Sequence, residues 1–308
     1  TFPGILSYLA GIWIINLNYW GCNQYITQRA LGADLQTART GILFAGFLKL
    51  LMPVIVMLPG IAAFVLYENG HLPQLVGGKD GAYSAVLTFL PTGLKGLSVA
   101  ALTAAIVASL AGKVNSISTI YTLDVHKKYI QKNATDRSQV NIGRYAVFAA
   151  MLLAVMFTWN DVLGIGGVGG FTYIQKYTGF ISPGVFAMFI LGMFWKRTTG
   201  TAAIVGVIAG FVLSVLFNEF APALFGNETL LYTAWPNGHG GYEIPFHICM
   251  GLSFAFTMLL MVGVSFAGPK VNPKAFELDT EMFKIKPQTT VLIVITLLII
   301  FALYAKFW

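Results

Sequence analysis

The chain contains repeated runs of about 20 apolar residues, separated by short polar stretches. A run of this length crosses the roughly 30 Å hydrocarbon core of a bilayer as an α-helix, which satisfies its backbone polar groups internally. Only 10% of the residues are charged, whereas a soluble domain carries about 25%. The sequence therefore predicts an all-α polytopic membrane protein. It excludes a nucleic-acid-binding module, a disordered chain and, with two cysteines, a secreted disulfide scaffold.

Eight apolar segments are long enough to be membrane spans. The third is longer than a bilayer requires, so it must tilt or project at one end. Residues Tyr83–Leu90 predict a short interfacial helix that stops at Pro91. The first residue is Thr1, with no signal-peptide pattern after it, so we expect the chain to begin within a longer protein. The predicted spans are residues 4–27, 40–67, 92–124, 141–159, 168–195, 199–219, 245–267 and 289–307.

The net charge of +7 reports membrane topology, because the basic residues lie mostly on one side. Alternate loops, beginning with the loop after the first span, carry thirteen of the 19 Lys and Arg residues, and the opposite side carries three. Cytoplasmic loops are enriched in Lys and Arg. The first, third, fifth and seventh loops are therefore predicted to be cytoplasmic.

The first span contains a dense group of polar and aromatic residues at membrane depth. Asn16, Tyr19 and Asn23 are spaced so that a helix would place them on one face. Gly21 and the asparagines beside it weaken helical continuity, and discontinuous helices line the midplane sites of many transporters. The alternative is structural, with the asparagines forming interhelical hydrogen bonds and the aromatic residues belonging to an interfacial belt.

Three lysines lie inside predicted spans away from the span ends, whereas all twelve acidic residues lie in loops or at span ends. This distribution gives no support to a proton relay built on Asp or Glu. Lys49 is explained equally well by snorkelling to the interface and by donation to a substrate hydroxyl. Snorkelling or a vestibule position is favoured for Lys113, and snorkelling for Lys176.

Small residues form one stripe along the third span. Tight helix packing explains such a stripe. A cation site is the alternative, since hydroxyls and carbonyls freed at a helix break can bind sodium without a carboxylate. Periodicity does not choose between them. The stripe consists of Ala105, Ala108, Ser109, Gly112 and Ser116.

No motif indicates enzymatic chemistry. Residues 164–169 match G-x-G-x-x-G, but neither a strand before them nor an acidic residue about 20 positions later completes a dinucleotide site. We interpret the motif as an outer loop or hinge. The four histidines show no metal-ligand spacing, and no cofactor is predicted.

Four blocks together resemble the sodium/solute symporter family, and most closely its sodium/sugar cotransporter branch. They occur in the family order and with similar spacing, and the resemblance extends along nearly the whole chain. The blocks are residues 16–29, 47–50, 115–124 and 173–175, which read NLNYWGCNQYITQR, FLKL, NSISTIYTLD and YIQ.

The resemblance implies a LeuT-like fold, in which two inverted five-helix repeats are flanked by extra helices. Residues 1–195 would then form the second repeat, and residues 196–308 would form three peripheral C-terminal helices. The first repeat would lie outside this sequence.

The resemblance also assigns residues to a sugar site and a sodium site. Tyr19 corresponds to the aromatic that stacks on the sugar and closes the site from the inside. Trp20 and Asn23 occupy the adjoining motif positions. Ala105 and Ser109 correspond to a sodium-binding carbonyl and hydroxyl, and Ala108 stands where the family often has a second hydroxyl, which removes one ligand. The residues matching hydroxyl-binding positions are Asn16, Lys49 and Gln175.

The implied function is symport of sodium with a monosaccharide similar to galactose or glucose, by alternating access. Sodium is the coupling ion, and the implied location is a bacterial inner membrane, crossed several times. The alternatives are a sodium symporter for another small neutral solute, such as an amino acid or a vitamin, an ion channel, and a membrane enzyme. The oligomeric state is not predicted.

Overall fold

The computed structural model describes residues 5–72, 81–159, 170–221, 234–236 and 241–307. These residues are mostly helical, and seven of their helices are long and apolar enough to cross a membrane. This confirms a helical, multi-pass membrane protein. The glycine motif at 164–169 lies outside the described residues. Two strands of two residues, β1 (Trp235–Pro236) and β2 (Tyr242–Glu243), pair antiparallel.

The first predicted span is interrupted, and it is therefore not among the seven described helices that are long enough to cross a membrane unbroken. Its helical path begins with Ile5–Ser7, continues as a π-helix over Tyr8–Ile12 and then becomes α1 (Trp13–Gly21). The helix breaks at Cys22 and Asn23. Gly21 and the neighbouring asparagines predict reduced helical continuity at this place. A second helix, α2 (Gln24–Ala30), follows.

The second span is built from two helices in sequence. Asp34 caps α3 (Leu35–Lys49) by accepting hydrogen bonds from the backbone N–H groups of Gln36 and Thr37. Its bonds with Thr37 lower the pKa of the Asp34 carboxyl. After α3 the chain continues through a π-helix, Pro53–Met57, into α4 (Leu58–Glu68).

The next helices agree closely with the predicted spans. A short helix, α5 (Ala82–Leu87), precedes Pro91 where the sequence predicts one over Tyr83–Leu90, and its interfacial position stays a prediction. The long third span is α6 (Thr92–Thr119), which continues as a π-helix over Ile120–Ile130. Thr135 caps α7 (Asp136–Thr158) by accepting a hydrogen bond from the backbone N–H of Ser138.

The remaining spans are α8 (Gly170–Phe194), α9 (Gly200–Val215), α10 (Phe246–Phe266) and α11 (Pro287–Phe307). A π-helix, Leu216–Phe220, extends α9. Before α11 lies a short 3₁₀ turn, Thr280–Phe283.

The helices form two compact units. One consists of Thr1–Thr27 with Phe171–Lys284, and the other of Gln28–Gly170 with Ile285–Trp308. The two units differ in burial over the most apolar 18-residue stretch of each span. In the first unit 28–44% of the residues in this stretch are buried, against at most 6% in the second unit. The protein core therefore lies in the first unit. The predicted division at residue 195 concerns inverted repeats rather than contact groups, and it stays a prediction.

Glycines allow close packing between α8 and α9 in the first unit. A Cβ atom placed on Gly210 would lie 2.5 Å from the Cα of Gly184, so these two backbones are in direct contact. A Cβ on Gly206 would lie 2.3 Å from Sδ of Met261 on α10. Small residues at such positions let membrane helices approach closely. Glycine here is required by space rather than by backbone conformation.

The turn after α8 is fastened to the end of α10 by Arg197. Its guanidinium donates to the backbone carbonyls of Ser265 (3.3 Å) and Phe266 (2.9 Å) in the last turn of α10, where carbonyls lack their usual intrahelical donors. The Ser265 carbonyl also accepts from the backbone N–H of Gly268 at 3.1 Å. The guanidinium also lies 4.5 Å from the ring centroid of Phe266. Arg197 counts toward the predicted cytoplasmic charge and also holds two spans together.

Candidate functional site

The predicted sugar-binding residues of the first span lie in and directly after the last two turns of α1. Asn16 and Tyr19 are exposed, Tyr19 with 39% of its surface accessible, and Trp20 is half-buried. The rings of Tyr19 and Trp20 meet edge to face, with their centroids 6.0 Å apart. An aromatic face of this kind suits the apolar C–H surface of a sugar ring.

Asn16 and Asn23 have different local roles. The side-chain amide of Asn16 donates to the backbone carbonyl of Ile12 at 2.8 Å, one turn earlier. Asn23 accepts a hydrogen bond from the backbone N–H of Tyr25 at 3.0 Å and thereby caps α2. The structure gives Asn23 a capping role in keeping the break open, in addition to the ligand role that the sequence predicts.

Asn18, which the site prediction did not include, makes a polar contact between α1 and α8. Its side-chain amide NH₂ donates to Oγ of Ser182 on α8 at 3.2 Å, and its side-chain carbonyl oxygen is buried with no hydrogen-bond partner among the described residues. Its place within the polar group of the first span was the available signal. This contact brings α1 against α8, as interhelical bonding by asparagine predicts.

Gln175 lies on the face of α8 that meets α1. Seven residues separate Gln175 from Ser182, and Phe186 lies four further on, so the three share one face of the helix. Ser182 contacts Asn18, and the ring of Phe186 lies 5.9 Å from the ring of Trp13. Gln175 therefore lies along the side of α8 that faces the helix carrying Asn16 and Tyr19.

Lys176, the neighbour of Gln175, is paired with an acid. Its Nζ lies 2.8 Å from Oε1 of Glu219, in the π-helix after α9. Nζ also lies 5.7 Å from the ring centroid of Tyr177. The sequence favoured snorkelling for Lys176, whereas the structure gives its charge a partner.

Lys49 belongs to the second unit, where it is the last residue of α3 and exposed. The α-helical path ends at Leu50 and resumes after a turn at Leu50 and Leu51. Lys49 therefore lies beside a tightened turn of its own span, where the backbone N–H groups of Leu50 and Leu51 donate to the carbonyls of Phe47 and Leu48.

The predicted sodium residues also belong to the second unit. Ala105, Ala108 and Ser109 lie within α6, which is an uninterrupted α-helix at this level. Ala105 and Ser109 are one turn apart on the same face, which sets the Ala105 carbonyl beside the Ser109 hydroxyl. Since the helix does not break here, this carbonyl has only its second lone pair to offer an ion.

The structure thus groups Asn16, Tyr19, Trp20, Asn23 and Gln175 in the first unit. Lys49 and the three sodium-site residues lie in the second. Within the described ranges, no three His, Cys, Asp or Glu residues lie together in a way that could hold a metal ion.

These features define a helical membrane protein with a broken span that carries amide and aromatic side chains. The chain belongs to the sodium:solute symporter family, whose family model matches residues 5–210. It is 38% identical to a sodium/glucose cotransporter of Vibrio parahaemolyticus over the whole chain and 55% of that protein.

Two mouse relatives are named for a cyclic polyol. A sodium/myo-inositol cotransporter is 36% identical over 67% of the chain and 30% of that protein. A sodium/myo-inositol cotransporter 2 is 37% identical over 70% of the chain and 33% of that protein. The chain spans about half the length of the Vibrio relative and about a third of the mouse relatives.

Proposed function

We propose that this protein is a secondary active transporter that couples sodium entry to uptake of a monosaccharide similar to galactose or glucose. The observation that carries the proposal is the broken first span, which presents Asn16, Tyr19 and Trp20 in a chain of the sodium:solute symporter family. Side-chain amides can form hydrogen bonds with sugar hydroxyls, and an aromatic ring can pack against the apolar face of a sugar. The protein performs no covalent chemistry and acts in a bacterial inner membrane.

The proposed architecture is LeuT-like, with residues 1–195 as the second inverted repeat and residues 196–308 as peripheral helices. The break between α1 and α2 supports this assignment, because half-helices line the midplane site in such transporters. The substrate would bind at this break and become accessible from either side in turn.

In the proposed site, Tyr19 stacks on the sugar and closes the binding site from the inside. Asn16, Lys49 and Gln175 bond to sugar hydroxyls, while Trp20 and Asn23 complete the surrounding surface. Lys49 contributes an ammonium with three donors. This set contains no carboxylate, which favours a neutral polyol over a cationic substrate.

Sodium would bind at α6 through the Ala105 carbonyl and the Ser109 hydroxyl. The ion drives transport only through a difference in its affinity for the outward-facing and inward-facing states. Ala108 offers no hydroxyl, so the ion site in this chain is poorer in ligands than one with serine there.

Tracer galactose uptake into proteoliposomes, with and without an inward sodium gradient, tests the proposed function. We expect accumulation above equilibrium only with sodium, and competition by glucose. Uptake that does not saturate with sugar would indicate a channel instead. The absence of sodium-dependent uptake of any hexose would contradict the proposal.

The cyclic polyol myo-inositol is a second candidate substrate. The mouse relatives are named for it, and its ring of hydroxyls makes the same demands on amides as a sugar does. Unlabelled myo-inositol should therefore be included as a competitor. Preference for it over galactose would change the substrate and leave the symporter class in place.

We predict that Ser109→Ala raises the sodium concentration for half-maximal uptake by roughly tenfold, since one lost ligand worth about 1.4 kcal/mol changes an affinity by that factor. Ala108→Ser should lower it, because serine adds a hydroxyl one helical position from Ser109. Both are measured as sodium-dependence curves at saturating galactose.

Ser116→Ala is a control for these two variants, since it removes a hydroxyl from the same helix two turns after Ser109, outside the proposed ion ligands Ala105 and Ser109. It should leave the sodium curve unchanged. Equal sodium dependence in all three variants and the parent would contradict the sodium-site assignment.

A further inference from the structure

The Lys176–Glu219 pair lies at one end of a continuous α8–α9 contact. From the interior outward, Gly184 touches Gly210, the Gly179 carbonyl accepts a hydrogen bond from Ser214 Oγ at 3.5 Å, and Lys176 meets Glu219 at 2.8 Å. Each step moves back along α8 and forward along α9, as antiparallel helices require. The ion pair is therefore in register with the packing rather than a chance surface contact.

A π-helical turn brings Glu219 to face α8. Ser214 and Glu219 are five residues apart, and an α-helix would turn the second well away from the first. In a π-helix, residues five apart are stacked, because its hydrogen bonds join residue i to residue i+5. The segment Leu216–Phe220 has this geometry, which places Glu219 on the same side as Ser214.

The outer part of α8 depends on such side contacts because Pro183 interrupts the helix. Proline has no N–H, so the Gly179 carbonyl loses its intrahelical donor. Ser214 supplies a replacement donor from α9. Beyond that point, towards the start of α8, the Lys176–Glu219 pair is a second attachment to α9.

Gln175 and Lys176 point to different neighbours. Consecutive helical residues are separated by about 100° around the axis, so Lys176 can face α9 while Gln175 lies on the face shared with Ser182, which contacts α1. Any rotation of the outer part of α8 that releases Lys176 would turn Gln175 by the same angle.

We infer that Lys176 and Glu219 are a positioning pair that fixes the orientation of Gln175 for substrate binding. This inference rests on the proposed role of Gln175. Neither residue of the pair touches the substrate. A charge within a membrane span is costly without a partner, so loss of either member lets the outer turn of α8 move.

The test compares charge-neutral and charge-swapped variants of the full-length protein in proteoliposomes. Lys176→Gln and Glu219→Gln should each raise the KM for galactose by roughly threefold to tenfold, the range expected for a partly exposed ion pair in a medium less polar than water. The half-saturating sodium concentration should not change. Combining Lys176→Glu with Glu219→Lys should restore the KM to within about twofold, since the attraction is re-formed.

Two further variants separate positioning from general effects of charge or folding. Lys176→Arg keeps the charge and should transport with a KM close to that of the parent. Lys95→Gln removes another lysine on the predicted outer side, near the start of α6, and should leave the KM unchanged. If the neutral variants do not fold, the charge-swapped double variant and Lys176→Arg test the inference instead. The inference then requires both to fold and to transport galactose with a KM close to that of the parent.

Unchanged KM in both neutral variants would overturn the inference, and so would a raised KM that the swap does not restore. Failure of the proposed function is distinguishable, because the parent protein would then show no sodium-dependent uptake of galactose or myo-inositol before any variant is compared.

Discussion

Tyr19→Ala is expected to lower the kcat/KM of galactose uptake by roughly 10- to 100-fold, because removing the burial of a phenyl-sized group costs about 1.5–3 kcal/mol. Tyr19 lies in the last turn of α1 with 39% of its surface accessible, and Trp20 supports its ring edge to face. The expected loss falls on sugar binding, since the proposed sodium residues lie on α6. Initial uptake rates over a range of galactose concentrations measure it.

Two tyrosine variants are controls. Tyr19→Phe keeps the ring and removes only the hydroxyl, so it should retain most of the uptake if stacking is the role of this residue. Tyr129→Ala removes an equally large ring from a 72% exposed position in the π-helix after α6 and should transport normally. Normal uptake by Tyr19→Ala would contradict the assignment of Tyr19 to the sugar site.

Gly210→Val is expected to destabilise the first unit strongly and to lower its thermal unfolding midpoint. The new Cβ would lie 2.5 Å from the Cα and 2.8 Å from the backbone nitrogen of Gly184. Backbone atoms cannot rotate away, so α8 and α9 must separate, at a cost of about 3 kcal/mol or more, the upper end of overpacking penalties. The free energy of unfolding of a native protein is only about 5–15 kcal/mol in total. The measurement is the thermal unfolding midpoint of the purified protein in detergent.

Gly263→Val in α10 is the matched control, since it introduces the same side chain into a helix at a glycine whose Cβ would meet nothing within 4 Å. It carries the same β-branched penalty without the collision. Its midpoint should stay close to that of the parent. A Gly210→Val protein as stable as Gly263→Val would show that the α8–α9 contact is looser than the structure has it.

The sequence predicted the helices well because apolar run length is a local property. The long α6, the short α5 before Pro91 and the helix break after Gly21 follow from residues close together in the chain. The first span was predicted as one crossing because its apolar length was counted across the break. The cap that Asn23 places on α2 depends on the backbone conformation at the break, which hydropathy does not report.

Hydropathy and residue spacing did not predict which side chains of different spans contact each other. Lys176 and Glu219 are far apart in the chain, and their meeting requires both the register of α8 on α9 and the π-helical turn. The contact of Asn18 with Ser182 likewise depends on how α1 crosses α8. The sequence therefore offered candidate residues of the site, while the attachments that orient them became visible only in three dimensions.

The length of the third span has a consequence for the lipid around the protein. The 28 residues of α6 extend about 42 Å at 1.5 Å per residue, more than the roughly 30 Å of hydrocarbon. With the predicted topology, we therefore expect the helical continuation Ile120–Ile130 to emerge among the headgroups of the cytoplasmic leaflet. Lys127 and Lys128 lie there, and each is attracted to anionic lipid by about 1 kcal/mol. On this topology, lipid charge would also anchor the helix that carries Ser109, and we expect the phospholipid composition of the host membrane to influence its tilt.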